Sequence, residues 1–290
     1  MTHTILVVGG TGMLGEPVAR RLLADGYLVR ILSRSPEKAQ ARLGAEFEIV
    51  KGDVDEPSSL EAALSGCQGV HLNLQGGFDY DLERRGAENV SRVASRVGVQ
   101  RITYTSGGSV CEENCWYAGT RAKFQAEAAL QVSGVPYTIF RDNYFMETLH
   151  NFVQGKMALH IGRHPTPYSW LAANDYARMV SKAYSTPAAA NKVFYICGPE
   201  VLTMRQALHI FCGIAHPKAR IVYLSIRMAT IIAKLGKRRE LQAALPFFRY
   251  CETVKFSEYP AEANALLGAP TTTLEMWSRR HVQGSQSRPQ

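Results

Sequence analysis

The sequence has no long hydrophobic run and few cysteines, and each shortage excludes a class of protein. No stretch of about 18 or more apolar residues occurs, so no transmembrane helix is predicted. The six cysteines are scattered, and only Cys111 and Cys115 lie close together, without a matching Cys or His pair, so free thiols are expected rather than a zinc site. Because His150, His160 and His164 lack tight ligand spacing, no metal site is predicted.

Acidic residues are outnumbered by basic residues, 25 against 33, which gives a net charge of +8 and an isoelectric point near 9.2. A basic surface can bind nucleic acid, but it also suits a phosphate-rich cofactor. Since no helix-turn-helix, zinc-finger or RNA-binding signature is present, no nucleic-acid partner is expected. A hydrophobic content of 46% excludes wholesale disorder. The first predicted strand begins by residue 5 and leaves no room for a signal peptide, so a cytoplasmic location is expected.

A glycine-rich turn near residue 10 organises the first part of the sequence. Ile5–Val8 predicts a buried parallel strand, and a helix follows directly after the turn. Gly9 and Gly10 would allow the turn, Gly12 would let backbone amides approach a pyrophosphate, and Gly15 would let the helix pack against the strand. The turn therefore predicts dinucleotide binding, and the residues expected to contact the cofactor are Gly9, Gly10, Thr11, Gly12, Met13 and Leu14.

Strands and helices alternate after this turn. The predicted strands are 27–32, 47–50, 69–74, 99–105, 136–140 and 192–197, and the predicted helices include 36–43, 58–64, 82–96, 116–132 and 176–184. Alternation of this kind predicts an α/β fold, a Rossmann doubly wound parallel sheet, with a smaller, discontinuous C-terminal α+β lobe. The expected domains are a dinucleotide-binding domain of residues 1–143 with a returning segment at about 176–198, a substrate lobe of 144–175 and 199–282, and a disordered tail of 283–290.

The end of the second predicted strand carries a basic residue where an NAD-binding site would carry an acidic one. Arg34 lies between two serines, and Lys38 follows one turn later. Arginine matches a phosphate group with two parallel hydrogen bonds, so this position favours NADP(H), with NAD(H) less favoured. The alternative is a solvated surface arginine.

Three further loops follow strands of the predicted sheet, where ligands of parallel sheets bind. Asp53 is placed to accept the adenine amino group and Val54 to line the ring, although Asp53 also suits a turn or a helix cap. Leu74 begins a glycine-bearing loop beside the cofactor cleft. Ser106 ends the fifth strand and is a candidate to hydrogen-bond a substrate carbonyl or the nicotinamide, or else an ordinary loop serine.

Taken together, these motifs resemble the NmrA-like group of atypical short-chain dehydrogenases/reductases. The resemblance covers the chain to about residue 282, and the quinone reductase branch is especially similar. It is carried by the segments 9–15, 33–39, 52–54, 105–106, 133–141, 174–177 and 268–273. The resemblance implies an NADP(H)-binding Rossmann domain whose small C-terminal lobe closes over a substrate cleft.

The resemblance also locates the catalytic helix, and one position departs from the pattern of the classical short-chain enzymes. The family lysine corresponds to Lys123, but the residue four positions earlier, where those enzymes carry tyrosine, is Gly119. Lys123 could hold the ribose and act alone as acid and base, or it could only pair with Glu127 one turn on. A third alternative is a shifted proton donor made of Tyr117 and Arg121.

These features predict an NADP(H)-dependent oxidoreductase that transfers a hydride to a quinone or another conjugated carbonyl. A quinone relaxes the need for a protein proton donor, because hydroquinone oxygens can take protons from water. The predicted catalytic residues are Lys123, Ser106 and Tyr117, and the predicted substrate is a small apolar or quinone-like molecule. The alternative, favoured by Gly119, is a non-catalytic NADP(H)-binding redox sensor or a regulatory or assembly protein.

The segment 224–240 combines an apolar stripe with a basic end. Its apolar residues are Leu224, Met228, Ile231, Ile232 and Leu235, and its basic residues are Lys234, Lys237, Arg238 and Arg239. A weak contact with an anionic membrane surface is one interpretation. The other is that the stripe packs on the core of its own lobe while the basic residues remain solvated.

Overall fold

The computed structural model describes residues 3–77, 79–254, 256 and 259–286, with side chains described as far as residue 282. Within these residues the strands are β1 (Thr4–Val8), β2 (Leu28–Ser33), β3 (Glu48–Lys51), β4 (Gly69–Leu72), β5 (Arg101–Gly107), β6 (Tyr137–Asp142), β7 (Tyr144–Phe145), β8 (Val153–Gln154), β9 (Met157–Ile161), β10 (Tyr168–Leu171), β11 (Lys192–Ile196), β12 (Glu200–Leu202) and β13 (Arg220–Leu224).

The helices of the same residues are α1 (Gly15–Ala24), α2 (Pro36–Leu43), α3 (Pro57–Leu64), α4 (Asp81–Val97), α5 (Ala118–Gln131), α6 (Ala173–Tyr184), α7 (Met204–Ala215), α8 (Ile226–Leu235), α9 (Arg239–Cys251), α10 (Ala261–Leu267) and α11 (Leu274–Gln286). Short 3₁₀ helices occur at Glu112–Asn114, Met146–Phe152 and Pro187–Ala189.

The first unit is built on a parallel sheet. In the described part of the chain, seven strands form it in the order β11-β6-β5-β4-β1-β2-β3, and every neighbouring pair is parallel. Helix α1 packs with α6, while α4 packs with α3 and α5, so helices flank the sheet in two groups. The predicted α/β Rossmann fold is confirmed.

Burial explains why the first strand and helix form where they do. Ile5, Leu6 and Val7 are fully buried although they alternate between the two faces of the sheet, as expected for a central parallel strand. In α1, Val18 and Leu22 are buried one turn apart and give the helix a single apolar face. This strand and helix hold the glycine turn between them.

The chain divides into two compact units, and the longest difference from the predicted domains is the segment that ends at Ala269. The first unit is Met1–Asp142, Ala173–Ile196 and Glu258–Ala269, and the second is Asn143–Ala172, Cys197–Ser257 and Pro270–Gln290. The segment ending at Ala269 was expected in the second lobe. Arg178 of α6 explains its position, because the guanidinium donates hydrogen bonds to the carbonyls of Leu267, Gly268 and Ala269 at 2.8, 3.2 and 2.9 Å.

The second unit combines two small sheets with helices. One sheet has the order β12-β10-β7 and the other β13-β9-β8, and α7 packs with α11. Its core includes Trp170, Tyr168 and Phe211, all fully buried. No helix of the described residues is long and apolar enough to cross a membrane. Helix α11 continues to Gln286, past the predicted start of the tail at residue 283, and residues 287–290 lie outside the described residues.

Candidate functional site

A cavity of about 530 Å³ opens at the carboxyl ends of β1, β2, β3 and β4 in the first unit. The predicted cofactor residues that line it are Gly9, Thr11, Gly12, Met13, Leu14, Arg34, Asp53, Val54 and Leu74. Lys123 lies outside this lining. So does Gly10, because a Cβ there would meet the side chain of Ile31 at 2.7 Å, which means that this glycine faces β2 and not the cavity.

The glycine turn is tight for identifiable steric reasons. Gly9 has a φ of +78°, and a Cβ there would lie 2.1 Å from the carbonyl oxygen of Asn73. A Cβ on Gly15 would lie 2.1 Å from the carbonyl oxygen of Gly9, which itself accepts a hydrogen bond from the Gly12 amide at 2.9 Å. Any larger side chain at these two positions would push the turn and the helix start away from the sheet.

The start of α1 faces this cavity without a capping side chain. Its N-cap residue is Leu14, whose side chain cannot accept a hydrogen bond from the first-turn amides. Glu16 lies in the first turn, and burial raises its pKa, but hydrogen bonds from Arg42 and Arg20 outweigh that effect and hold the pKa below its usual value. These arginines neutralise the carboxylate, so the helix terminus stays suitable for an anion.

Arg34 and Lys38 differ from the other cations at the rim of the cavity. Both side chains are exposed, and among the described residues no hydrogen bond or ion pair uses either charged group. Arg42 also lines the cavity, but its Nε donates to Glu16 at 2.8 Å. The loop after β2 and the start of α2 therefore place two positive charges at the cavity, and neither charge is paired within the described residues.

Asp53, Val54 and Leu74 form the opposite wall. Val54 and Leu74 are buried, and Asn89 supports the wall by donating to the Val54 carbonyl at 3.0 Å. One oxygen of Asp53 accepts the Asp55 amide at 3.1 Å, so this residue has the turn role that the sequence left open while it also lines the cavity. Sequence analysis missed Asn73 and Leu82 in the same lining; the signal for Asn73 was its place directly after a strand.

Lys123 of α5 lies in a second polar group of the first unit. Its Nζ is 2.8 Å from Glu83 Oε2 and 3.4 Å from the Thr105 carbonyl oxygen, and the Tyr104 hydroxyl donates to the same Glu83 oxygen at 3.1 Å. The alternative in which Lys123 pairs with Glu127 is wrong. Nothing in the sequence signals Glu83, which lies 40 positions away on α4.

Asp142, at the end of β6, also interacts with this group and was missed by sequence analysis. Burial raises the pKa of the Asp142 carboxyl to about 7, against the opposing effect of the Lys123 charge. A carboxyl with this pKa exchanges its proton near neutral pH.

Ser106 does not have the position predicted for a catalytic residue. It is 2% exposed, and its hydroxyl donates to Glu127. Glu127 in turn forms a two-pronged ion pair with Arg141 at 3.0 and 2.6 Å, and Arg141 donates to the Tyr195 hydroxyl at 2.8 Å. The serine therefore belongs to a buried network that joins β5 and α5 to β6 and β11, because Glu127, which accepts its hydrogen bond, is itself buried.

Tyr117 directly precedes α5 and does not stack within it. It is the N-cap residue of α5, so the one-turn spacing to Arg121 does not place the two side chains on one helical face. A Cβ on Gly119 would lie 2.8 Å from Cε1 of the Tyr117 ring, so this ring covers the glycine. The Tyr117 hydroxyl lies 3.3 Å from that of Tyr80, a residue that sequence analysis missed.

No group of three or more His, Cys, Asp or Glu side chains in the described parts of the chain is arranged to hold a metal ion.

Comparisons with known proteins agree with this geometry. The (4-alkanoyl-5-oxo-2,5-dihydrofuran-3-yl)methyl phosphate reductase of Streptomyces griseus is 28% identical over 96% of this chain and 98% of its own length. The NAD(P)H azoreductase of Xenophilus azovorans is 26% identical over 78% of each chain. The Escherichia coli NADPH-dependent quinone oxidoreductase complexed with NADPH superimposes with a TM-score of 0.74 at 21% identity, covering 96% of this chain and 99% of that one. The profile of the NmrA-like family matches residues 1–275, and the chain belongs to that family.

Proposed function

We propose that this protein is an NADP(H)-dependent reductase whose cofactor lies in the cavity of the first unit. The observation that carries the proposal is that two cations, Arg34 and Lys38, have no ion-pair partner among the described residues and lie beside a glycine turn and an uncapped helix start. The turn suits a diphosphate because Gly12 lines the cavity without a side chain, and a Cβ there would come within 3.1 Å of the Gly9 carbonyl oxygen.

The same cations support the phosphorylated coenzyme over NAD(H). A 2′-phosphate carries up to two negative charges, and the free guanidinium of Arg34 can bind it with two parallel hydrogen bonds. The wall made by Val54 and Leu74 supplies an apolar surface for a planar ring, and the carboxylate of Asp53 can accept from an adenine amino group.

The proposed reaction is the reduction of a quinone or another conjugated carbonyl, for which bound NADPH would supply a hydride. The Lys123 ammonium has three N–H bonds, of which Glu83 and the Thr105 carbonyl accept two. Among the described residues no acceptor takes the third. It is therefore available to donate to an oxygen that gains negative charge as the hydride is accepted.

The activities for which the relatives are named support an electron-poor, conjugated substrate. One relative is named for a substrate with a ring double bond conjugated to carbonyl groups, another for azo compounds, and the structural neighbour for quinones. Each of these names describes the reduction of a conjugated system. A substrate of this class can take its second proton from Lys123 or from water.

NADPH oxidation, followed with a panel of quinones and enones, tests the proposal. Lys123→Ala is expected to lower kcat by about tenfold or more with little change in the Kd for NADPH, because the ammonium acts on the transition state. Glu83→Gln is expected to lower kcat less, since it only positions the lysine. Lys182→Ala, an exposed lysine on α6, is the matched control and should match the wild type. If Lys182→Ala loses activity fully, or if Lys123→Ala loses no activity, the proposed role of Lys123 as the donor is wrong.

A second candidate function is coenzyme binding without catalysis, as in a redox sensor. The observation that favours it is Gly119 in the position of the classical tyrosine, with the Tyr117 ring packed over it. Wild-type protein that binds NADPH tightly but oxidises it with no acceptor of the panel would support this function over the reductase.

A further inference from the structure

Helix α8 of the second unit packs with its small residues inward and its large apolar residues outward. Ala229 and Ala233 are fully buried, whereas Met228, Ile231, Ile232 and Leu235 are 52, 56, 38 and 81% exposed. The prediction that the stripe packs on the core of its own lobe is therefore wrong for these four residues. Leu224, which precedes the helix, and Ile226 do pack against the core cluster that contains the two alanines.

The exposed residues form one continuous face. At 100° per residue, Ile231, Leu235, Met228 and Ile232 lie within an arc of about 100° that points away from the two buried alanines. Single exposed hydrophobic residues are ordinary in folded proteins, but four large ones side by side on one helix mark an interaction surface.

Positive charges border this face. Arg227 and Lys234 lie along one side of it, and Lys237, Arg238 and Arg239 follow the end of the helix. All five side chains are exposed, and no ion pair within the described residues uses any of them. Between residues 227 and 240 the sequence has one acidic residue, Glu240.

The basic turn is held against the helix by its backbone. Lys237 has a φ of +49°, in the left-handed region, and the Arg238 amide donates to the Ala233 carbonyl at 3.0 Å. Gln242 donates to the same carbonyl at 2.8 Å. These bonds hold the basic turn next to Leu235, the most exposed apolar residue of the face.

We propose that this face, Met228, Ile231, Ile232 and Leu235 with the five bordering cations, docks on the surface of an anionic phospholipid bilayer. A helix that inserts an apolar face among lipid headgroups and places cations around it gains from both contacts. Charge complementarity favours this partner, because each cation near an anionic surface strengthens binding by about fivefold. The proposal is independent of the reductase function, since none of these residues lines the cofactor cavity.

Vesicle co-sedimentation tests the proposal with the full-length protein. Binding is expected to vesicles of phosphatidylcholine with about 30 mol% phosphatidylserine, to be absent with phosphatidylcholine alone, and to be lost in about 0.5 M NaCl. Lys237→Ala with Arg238→Ala should weaken binding by about 25-fold. The matched control, Lys156→Ala with Lys218→Ala, removes the same charge elsewhere in the second unit and should leave binding within about twofold.

A second pair of variants tests the apolar face. Leu235→Asp should abolish vesicle binding, whereas Val132→Asp, which alters an equally exposed residue of the first unit, should not. Unchanged thermal unfolding and an unchanged Kd for NADPH would show that both variants fold.

Wild-type protein that ignores anionic vesicles overturns the proposal, as does binding that Leu235→Asp leaves intact. A dimer in sedimentation equilibrium that Leu235→Asp dissociates, without vesicle binding, would assign the face to a second copy of the chain instead.

Discussion

The phosphate-binding role proposed for Arg34 gives the sharpest prediction. Replacing Arg34 by alanine should weaken NADPH binding and leave NADH binding nearly unchanged, because only NADPH carries the 2′-phosphate. A hydrogen bond to a charged group contributes about 1.5 to 3 kcal/mol, and the exposure of Arg34 places the expected loss in the lower part of that range. The Kd for NADPH should therefore rise by roughly 10- to 40-fold.

Arg42 is the control for this prediction, since it lines the same cavity but is already paired with Glu16. Arg42→Ala should change the Kd for NADPH by about fivefold or less, as expected for loss of an exposed charge. Lys38→Ala should lie between the two variants, because an ammonium binds phosphate as a point charge and not as a fork.

Isothermal titration with both coenzymes at two salt concentrations measures these effects. Selectivity for NADPH should fall in Arg34→Ala and persist in Arg42→Ala. If Arg34→Ala weakens NADH as much as NADPH, or if Arg42→Ala has the same effect as Arg34→Ala, the cations act only through general electrostatics and the assignment of a 2′-phosphate site is wrong.

Three further predictions concern stability. Glu127→Ala should lower the free energy of unfolding in urea by about 3–5 kcal/mol, because Arg141 would stay buried without its carboxylate. The double change of Glu127→Leu and Arg141→Met should lower this free energy less. If the double change lowers it equally or more, the explanation is wrong. Asp142→Asn should stabilise the protein more at pH 8 than at pH 5, by about 2 to 3 kcal/mol. The reason is that burial raises the pKa of the folded carboxyl to about 7, so wild-type stability falls as pH rises from the unfolded pKa of about 4 to about 7; a pH-independent difference would refute this. Gly15→Ala should cost about 1–3 kcal/mol in the same assay, since its Cβ would lie 2.1 Å from a backbone carbonyl oxygen. Gly213→Ala, within α7 and with nothing within 4 Å, should instead be neutral or stabilise by up to about 1 kcal/mol.

Sequence analysis succeeded where the determinants are local. The strand Ile5–Val8, the turn that follows it and the helix start are specified by adjacent residues, so their order alone predicts a parallel sheet with a nucleotide crevice. The same holds for Arg34, which directly follows β2, and for Val54, in the loop after β3; both line the cavity.

Sequence analysis failed where the partner of a side chain lies in a distant part of the chain. Lys123 pairs with Glu83 on another helix and not with Glu127 one turn away, because Glu127 is held by Arg141. Which glutamate pairs with Lys123 depends on how α4 and α5 pack together. The residue spacing within either helix gives no information about that packing. Arg178 is a similar case, since its three carbonyl acceptors lie about 90 residues away.

Gly119 and Tyr117 together restrict the chemistry that side chains of α5 can support. A tyrosine at position 119 would have to displace the ring of Tyr117, because even a Cβ there lies 2.8 Å from that ring. The phenol is thus packed at the helix start against Tyr80 and is not aligned one turn from Lys123. Removing a proton from an alcohol needs a base held close to the reacting oxygen, whereas a reduced quinone can collect protons from water. The packing around Gly119 therefore supports the proposed reduction of conjugated carbonyls over alcohol oxidation, in which we propose Lys123 as the charged group beside the acceptor.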